Sequence, residues 1–219
     1  MSRFCVGLVV LALAAPPALA ANPVALVEDV DGKAPVRFMD YLAEGQKFEL
    51  PAGSKVVIGY FGSCERETIN GGKVVVGAAQ SQVDGGKVAR QKVECDGGKM
   101  LLTSAQASAS GVMAFRGFAP GQALPKPQFT IYGTSPVFEM PKPGTLYVQR
   151  LDKSSGSMEL DLSAKDLVGG RFYDFARVGK HLEPGGLYRI ATDDGNVVVK
   201  VDAKAKPGKG PLVGRFIRL

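Results

Sequence analysis

Tryptophan is absent from the 219 residues, histidine occurs once, at His181, and cysteine three times. Cys64 and Cys95, with no histidine near either in the sequence, do not complete the tetrahedral ligand set of a structural zinc site. Any Ser–His or Cys–His nucleophile pair would depend on His181, and that residue follows Gly179-Lys180 with no motif around it. The G-x-S-x-G, S-x-x-K, H-E-x-x-H, phosphate-loop and G-x-G-x-x-G patterns do not occur. Carboxylates do sit close together at Glu28-Asp29-Val30-Asp31 and at Asp193-Asp194, but a chain with 21 acids has such neighbours by chance. Asp29-x-Asp31-Gly32 lacks the further ligands and closing glutamate of a calcium loop. The sequence therefore predicts no enzyme, no metal and no cofactor.

Long apolar runs are also missing after the first 20 residues. Arg3, the apolar stretch Phe4–Ala15, Pro16-Pro17 and then Ala18-Leu19-Ala20 have the charged, apolar and small-residue regions of a cleavable export signal. Cys5 lies inside the apolar region, so it is not read as an acylation site. No second run of membrane-spanning length follows, and no transmembrane segment is expected in the mature chain from Ala21. The predicted location is the periplasm or the exterior. Removing residues 1–20 takes away one base and no acid, so the net charge falls from +6 to +5. That mild excess suits anionic envelope polymers and lipids, and no nucleic-acid partner is expected.

Cys64 and Cys95 remain. In an oxidising compartment an even pair is read as a disulfide. Closing that loop stabilises a fold by about 3–4 kcal/mol in the chain-entropy picture.

Glycine (28) and proline (14) are plentiful and favour short strands over helices. Only Ala164–Val168 has a helical look, for about a turn. Val24–Val30, Val36–Tyr41, Phe48–Leu50 and Lys55–Phe61 are apolar, β-prone segments separated by glycine. A weak repeat follows: Asn70-Gly-Gly-Lys73-Val74, Asp84-Gly-Gly-Lys87-Val88 and Asp96-Gly-Gly-Lys99-Met100. Asn-Gly and Asp-Gly suit tight hairpin turns, so three stacked hairpins are expected. Lys73, Lys87 and Lys99 are then solvated guards of strand edges, with a basic ridge as the second reading. Val112–Phe115 closes this part as a last strand, and the proline- and glycine-bearing stretch 117–127 is expected to be a linker.

Beyond it, eight apolar runs are strand candidates: Phe129–Tyr132, Val137–Met140, Leu146–Leu151, Met158–Leu162, Phe172–Phe175, Leu187–Ala191, Val197–Val201 and Leu212–Leu219. Met158 to Leu162 alternates apolar and acidic residues, and Asp194-Gly195 separates two runs in hairpin fashion. So many short strands in residues 128–219 predict a β-sandwich.

Residues 24–104 resemble a FecR-type domain, a chain of short strands on a loose glycine and leucine frame supplied here by Gly45, Leu50, Gly53 and Gly59. FecR proteins relay envelope signals through a cytoplasmic segment. This chain has no such segment, so the resemblance implies only the extracytoplasmic interaction domain. Leu182-Glu-Pro184-Gly185-Gly-Leu-Tyr188-Arg-Ile190 is similar to the L-x-P-G-x-x-Y-x-V stretch of fibronectin type III and immunoglobulin-like domains. That likeness implies a tyrosine corner, with the Tyr188 hydroxyl bonded back to the main chain. It also implies that Phe or Tyr takes the place of the absent core tryptophan.

The combined expectation is an all-β protein: signal peptide 1–20, FecR-like domain 21–116, linker 117–127, and an immunoglobulin- or fibronectin-like sandwich 128–219. After the last acid, Asp202, come Lys204, Lys206, Lys209, Arg215 and Arg218. This basic tail is either a capping edge strand or a contact for an anionic partner such as a lipid head group, a polysaccharide or an acidic protein. The function expected is an exported interaction module of the bacterial envelope with an extracytoplasmic protein partner, with a place in a signalling relay left open. An envelope structural or glycan-binding role is the alternative, for which Tyr132, Tyr147 and Tyr173 would have to line one groove.

Overall fold

The structure, a computed structural model, describes residues 22–101, 124–153 and 156–219. The expected export signal, the strand expected at 112–115 and most of the expected linker lie outside them. The fold is all-β. The strands are β1 (Pro23–Asp31), β2 (Tyr41–Ala43), β3 (Lys47–Tyr60), β4 (Glu65–Val75), β5 (Gln82–Asp84), β6 (Lys87–Lys92), β7 (Phe129–Gly133), β8 (Val137–Glu139), β9 (Gly144–Arg150), β10 (Ser157–Leu162), β11 (Phe172–Asp174), β12 (Leu187–Thr192), β13 (Gly195–Lys206) and β14 (Phe216–Arg218). The expected turn of helix at Ala164–Val168 is a hydrogen-bonded turn, with Asp166 N–H donating to the Ser163 carbonyl.

The first six strands form one antiparallel sheet in the order β2-β1-β3-β4, with β5 and β6 both paired to the outer edge of β4. The glycine repeat does something other than reverse the chain. Phe48–Leu50 and Lys55–Phe61 belong to one strand, β3, because both pair with β4. Between them residues 51–54 bulge out where β4 has only Gly71, since Leu50 faces Gly72 and Lys55 faces Asn70. Asn70-Gly71-Gly72 thus lies inside β4. Asp84 faces Lys73 and Lys87 faces Asn70, so Gly85-Gly86 falls opposite Gly71-Gly72. Three neighbouring strands bend at one level. Gly53, Gly71, Gly72 and Gly85 have φ between +62° and +92°, a region that side-chain-bearing residues rarely adopt.

Two of the three expected hairpins are therefore a crease. The third repeat is an Asx turn, where the Asp96 carboxylate accepts from the Gly98 and Met100 N–H groups and starts a 3-10 turn at Lys99–Leu101. The crease also rules out a lysine ridge. Lys73 lies between Glu49 and Asp84 on the flanking strands, and Lys99 is elsewhere.

The eight later strands fall where the apolar runs predict them. The exception is Leu212–Leu219, which divides into a 3-10 turn, Leu212–Gly214, and β14. They form a five-stranded sheet, β10-β9-β12-β13-β7, and a three-stranded sheet, β11-β8-β14. Antiparallel pairing dominates, but β7 runs parallel to β13, and β14 parallel to β8. One apolar cluster joins both sheets, including Ile131, Phe138, Val148, Phe175, Ile190, Val199 and Phe216.

Strand alternation decides how the two halves meet. In β1, Ala25 and Val27 enter a cluster of the first sheet with Val56, Ile58 and Ile69. Leu26 faces the other way and joins Met39, Phe61 and Met100 in the core of the second half. The carboxylate of Glu28, on that same face, binds Arg66 at 2.7 Å and accepts the Val213 N–H at 3.3 Å. Tyr41 donates across the seam to Glu139 at 2.5 Å. The two halves share a packed, polar-pinned boundary.

At the crease, a Cβ on Gly86 would sit on the Gly71 carbonyl oxygen. The clash is with main chain, which has no rotamer to change. Gly86→Ala is expected to cost more than about 2 kcal/mol, read as a lowered urea midpoint. Gly85→Ala, with no atom within 4 Å of the new Cβ, carries only the penalty of its left-handed backbone, about 1–2 kcal/mol.

Candidate anion-binding surface

Arg215 organises one end of the molecule from inside. Its guanidinium donates to both carboxylate oxygens of Asp174 (2.7 and 3.4 Å), to the Ser135 carbonyl (2.8 Å) and to the Gly210 carbonyl (3.0 Å). Both ionised side chains are 3 % exposed. Buried charges persist when paired and fully hydrogen-bonded, and this guanidinium reaches three chain segments at once.

Those segments carry the surface. Asp174 also accepts the Ala176 N–H at 3.0 Å, and Lys180 N–H donates to the Phe175 carbonyl at 2.8 Å, closing a compact turn over residues 174–180. The Ser135 hydroxyl donates to the Lys180 carbonyl (2.9 Å) and accepts the Gly208 N–H (3.2 Å). One side chain therefore stitches the turn to the stretch after β13. Leu182 N–H to Thr134, and Thr134 N–H to Lys206, continue the seam.

Both stitched segments are basic. Residues 175–182 contain Arg177, Lys180 and His181 and no acid, and residues 203–210 contain Lys204, Lys206 and Lys209 and no acid. Arg177, Lys204, Lys206 and Lys209 are exposed and Lys180 is half-buried. The acids nearby are engaged. Asp174 faces inward and Glu183 holds Arg150 and Lys153, while Asp202 accepts the Lys204 N–H and keeps its charge, one acid beside five bases. The result is a local excess of positive charge on the end of β13 and the turns beside it.

The tail does end in an edge strand, β14 beside β8, and of the five tail cations offered for the alternative contact, Lys204, Lys206 and Lys209 face solvent. Arg215 does not, because Asp174 draws its charge into the core, so it is removed from the contact set. Arg218 is half exposed and lies 3.3 Å from Glu139, beside Arg171 and Tyr41. It belongs to the seam. Arg177 and Lys180 were missed. Their signal was an acid-free basic octet, Phe175–Leu182, but only the fold shows that it adjoins the tail.

The remaining candidates take structural places. Cys64 and Cys95 form a disulfide, Cα atoms 5.6 Å apart, tying the loop after β3 to the stretch after β6. Tyr188 accepts the Glu183 N–H at 2.9 Å, and Leu182, Pro184 and Gly185 shape that corner. His181 is exposed. Tyr173 is buried in the core, while Tyr132 and Tyr147 lie on β7 and β9 with β13 and β12 between them. They line no common groove. Asp29 and Asp31 flank Lys55 at 3.7 and 3.8 Å, and Asp193-Asp194 form the β12–β13 turn. Among the described residues no three of His, Cys, Asp and Glu gather into a metal-holding group, and no helix is long and apolar enough to cross a membrane.

A groove of about 610 Å³ lies along the crease, walled by Pro51–Gly53, Gly71-Gly72 and Gly85-Gly86. Glu49 and Asp84 are balanced along it by Lys73 and Lys87, so it carries no net charge for a charged ligand.

Comparison with protein-family models, with curated proteins and with solved structures finds no match.

Removing one partner of a buried pair strands the other charge. Arg215→Ala is expected to cost about 3–5 kcal/mol, whereas Lys206→Ala and Lys209→Ala stay within about 0.5 kcal/mol, all measured by urea denaturation. A second expectation concerns pH. Asp152 binds Arg150 at 2.8 Å, and that hydrogen bond above all holds its carboxyl down at about 2. The folded pKa lies below the unfolded one, so the stabilisation is complete above about pH 4 and fades as pH falls through about 2. Asp152→Asn should flatten the fall in Tm across that window.

Proposed function

We propose that this chain is an exported, non-enzymatic interaction protein of the bacterial envelope, engaging an anionic partner through the end that carries Arg177, Lys180, Lys204, Lys206 and Lys209. The observation that carries this reading is the pairing of two acid-free basic segments by Ser135 and Arg215. Like charges gathered on a strand end and its neighbouring turns repel one another, and an anionic partner relieves that cost. The deeply buried carboxylates, by contrast, are consumed internally: Glu28 by Arg66, Glu67 by Arg90 and Asp174 by Arg215. Ionised groups so paired serve the fold rather than proton transfer. The export signal and the Cys64–Cys95 bridge suit an oxidising compartment. The FecR-like and immunoglobulin-like resemblances of the two halves fit a binding role, and the crease groove and the scattered tyrosines lend less to a glycan-binding one.

The test is retention on an immobilised polyanion against a salt gradient. Lys206→Glu/Lys209→Glu should elute at clearly lower salt than wild type. Lys73→Glu/Lys87→Glu, an equal charge change at the crease, should elute much closer to it. Equal loss in both variants would mean that net charge alone drives retention, and the reading would fall.

A further inference from the structure

We infer that this basic end docks on an anionic lipid surface, with Val178 as the apolar contact. The inference rests on the anion-binding reading above and narrows it to one kind of partner. Val178 is 49 % exposed, and Leu124 is the other large apolar side chain that stands out among the described residues. Val178 sits at the tip of the turn closed by Lys180 N–H and the Phe175 carbonyl, next to Gly179 at φ +67°. The turn is fixed from below by Asp174, which binds Ala176 N–H and Arg215 together. Its apolar tip is therefore held outward rather than free to fold back.

Arg177 and Lys180 flank Val178 in sequence, and Lys206 and Lys209 lie across the Ser135 stitch. A soluble polyanion satisfies the cations but has no use for the valine. A layer of anionic head groups over acyl chains satisfies both, since an interfacial residue buries apolar surface while neighbouring cations stay at head-group level. The attraction acts within a Debye length, so the cations have to cluster around the point of contact, as they do here.

The experiment is vesicle co-sedimentation of the exported chain. Its N-terminus is checked by mass spectrometry so that residues 4–15 provide no anchor of their own. Vesicles are phosphatidylcholine with or without phosphatidylglycerol, and dextran sulfate is the soluble polyanion. Binding is expected only with phosphatidylglycerol, weakened by salt. Each of Lys206→Gln and Lys209→Gln should lower vesicle affinity about five-fold. Val178→Ser should lower vesicle affinity by a similar factor and leave dextran sulfate binding unchanged. Its exposed position makes misfolding an improbable cause, and an unchanged urea midpoint checks that. Binding to dextran sulfate without binding to the vesicles, or full vesicle binding by Val178→Ser, overturns the lipid inference and leaves the anion reading standing. Binding to neither overturns both.

Discussion

A single guanidinium holds together three chain segments at one end of this protein. Arg215 reaches β11 through Asp174, the segment 134–136 between β7 and β8 through Ser135, and the stretch after β13 through Gly210. The pair is buried, and buried ion pairs rarely add stability compared with a well-packed apolar core. What it provides is definition: a guanidinium has fixed donor directions, so three segments must take one relative arrangement to satisfy it. An apolar plug at the same place would allow several. The charge that fixes the arrangement is neutralised inside, and Arg177, Lys180, Lys206 and Lys209 are left at the surface.

The seam between the halves follows the same logic on a larger scale. β1 places Ala25 and Val27 in one core and Leu26 in the other, so a single strand serves both. Glu28 and Tyr41 add directional bonds to Val213 and Glu139. Gly59 permits the approach, because a Cβ there would overlap both Glu28 and Val213. A boundary of this kind positions the C-terminal segment, since the 3-10 turn before β14 packs against β1 and β3. The basic end is thereby braced from the first half of the chain.

Much of the fold was legible in the sequence. The apolar runs from Phe129 onward mark their strands closely because each is short and bounded by turn residues, and those of β7, β9, β10 and β13 alternate in burial. Cys64 and Cys95 and the Tyr188 corner were equally readable, each being a local chemical pattern with one common outcome. The crease was not. Asn-Gly-Gly and Asp-Gly-Gly specify backbone angles, and a bend within a strand uses the same left-handed angles as a reversal between strands. Only pairing decides between them, and pairing is long-range. The surface was half legible for a similar reason. Lys204, Lys206 and Lys209 stand out as a run after the last acid, but nothing local ties them to Arg177 and Lys180. Nor does the sequence show which arginine turns inward, as Arg215 does toward an acid 41 positions away.

The aligned glycines also bear on how the chain finds its partners along the sheet. Two-residue periodicity alone leaves a strand free to slide by an even number of positions without exposing its apolar face. A slide of β4 by two residues would carry Gly71 and Gly72 off the crease and force side-chain-bearing residues such as Lys73 into the left-handed angles found there. The same holds for β3, whose bulge at residues 51–54 must meet Gly71. The crease therefore works as an index mark shared by neighbouring strands. It penalises misaligned sheets while they are still assembling, before any core has closed to reject them.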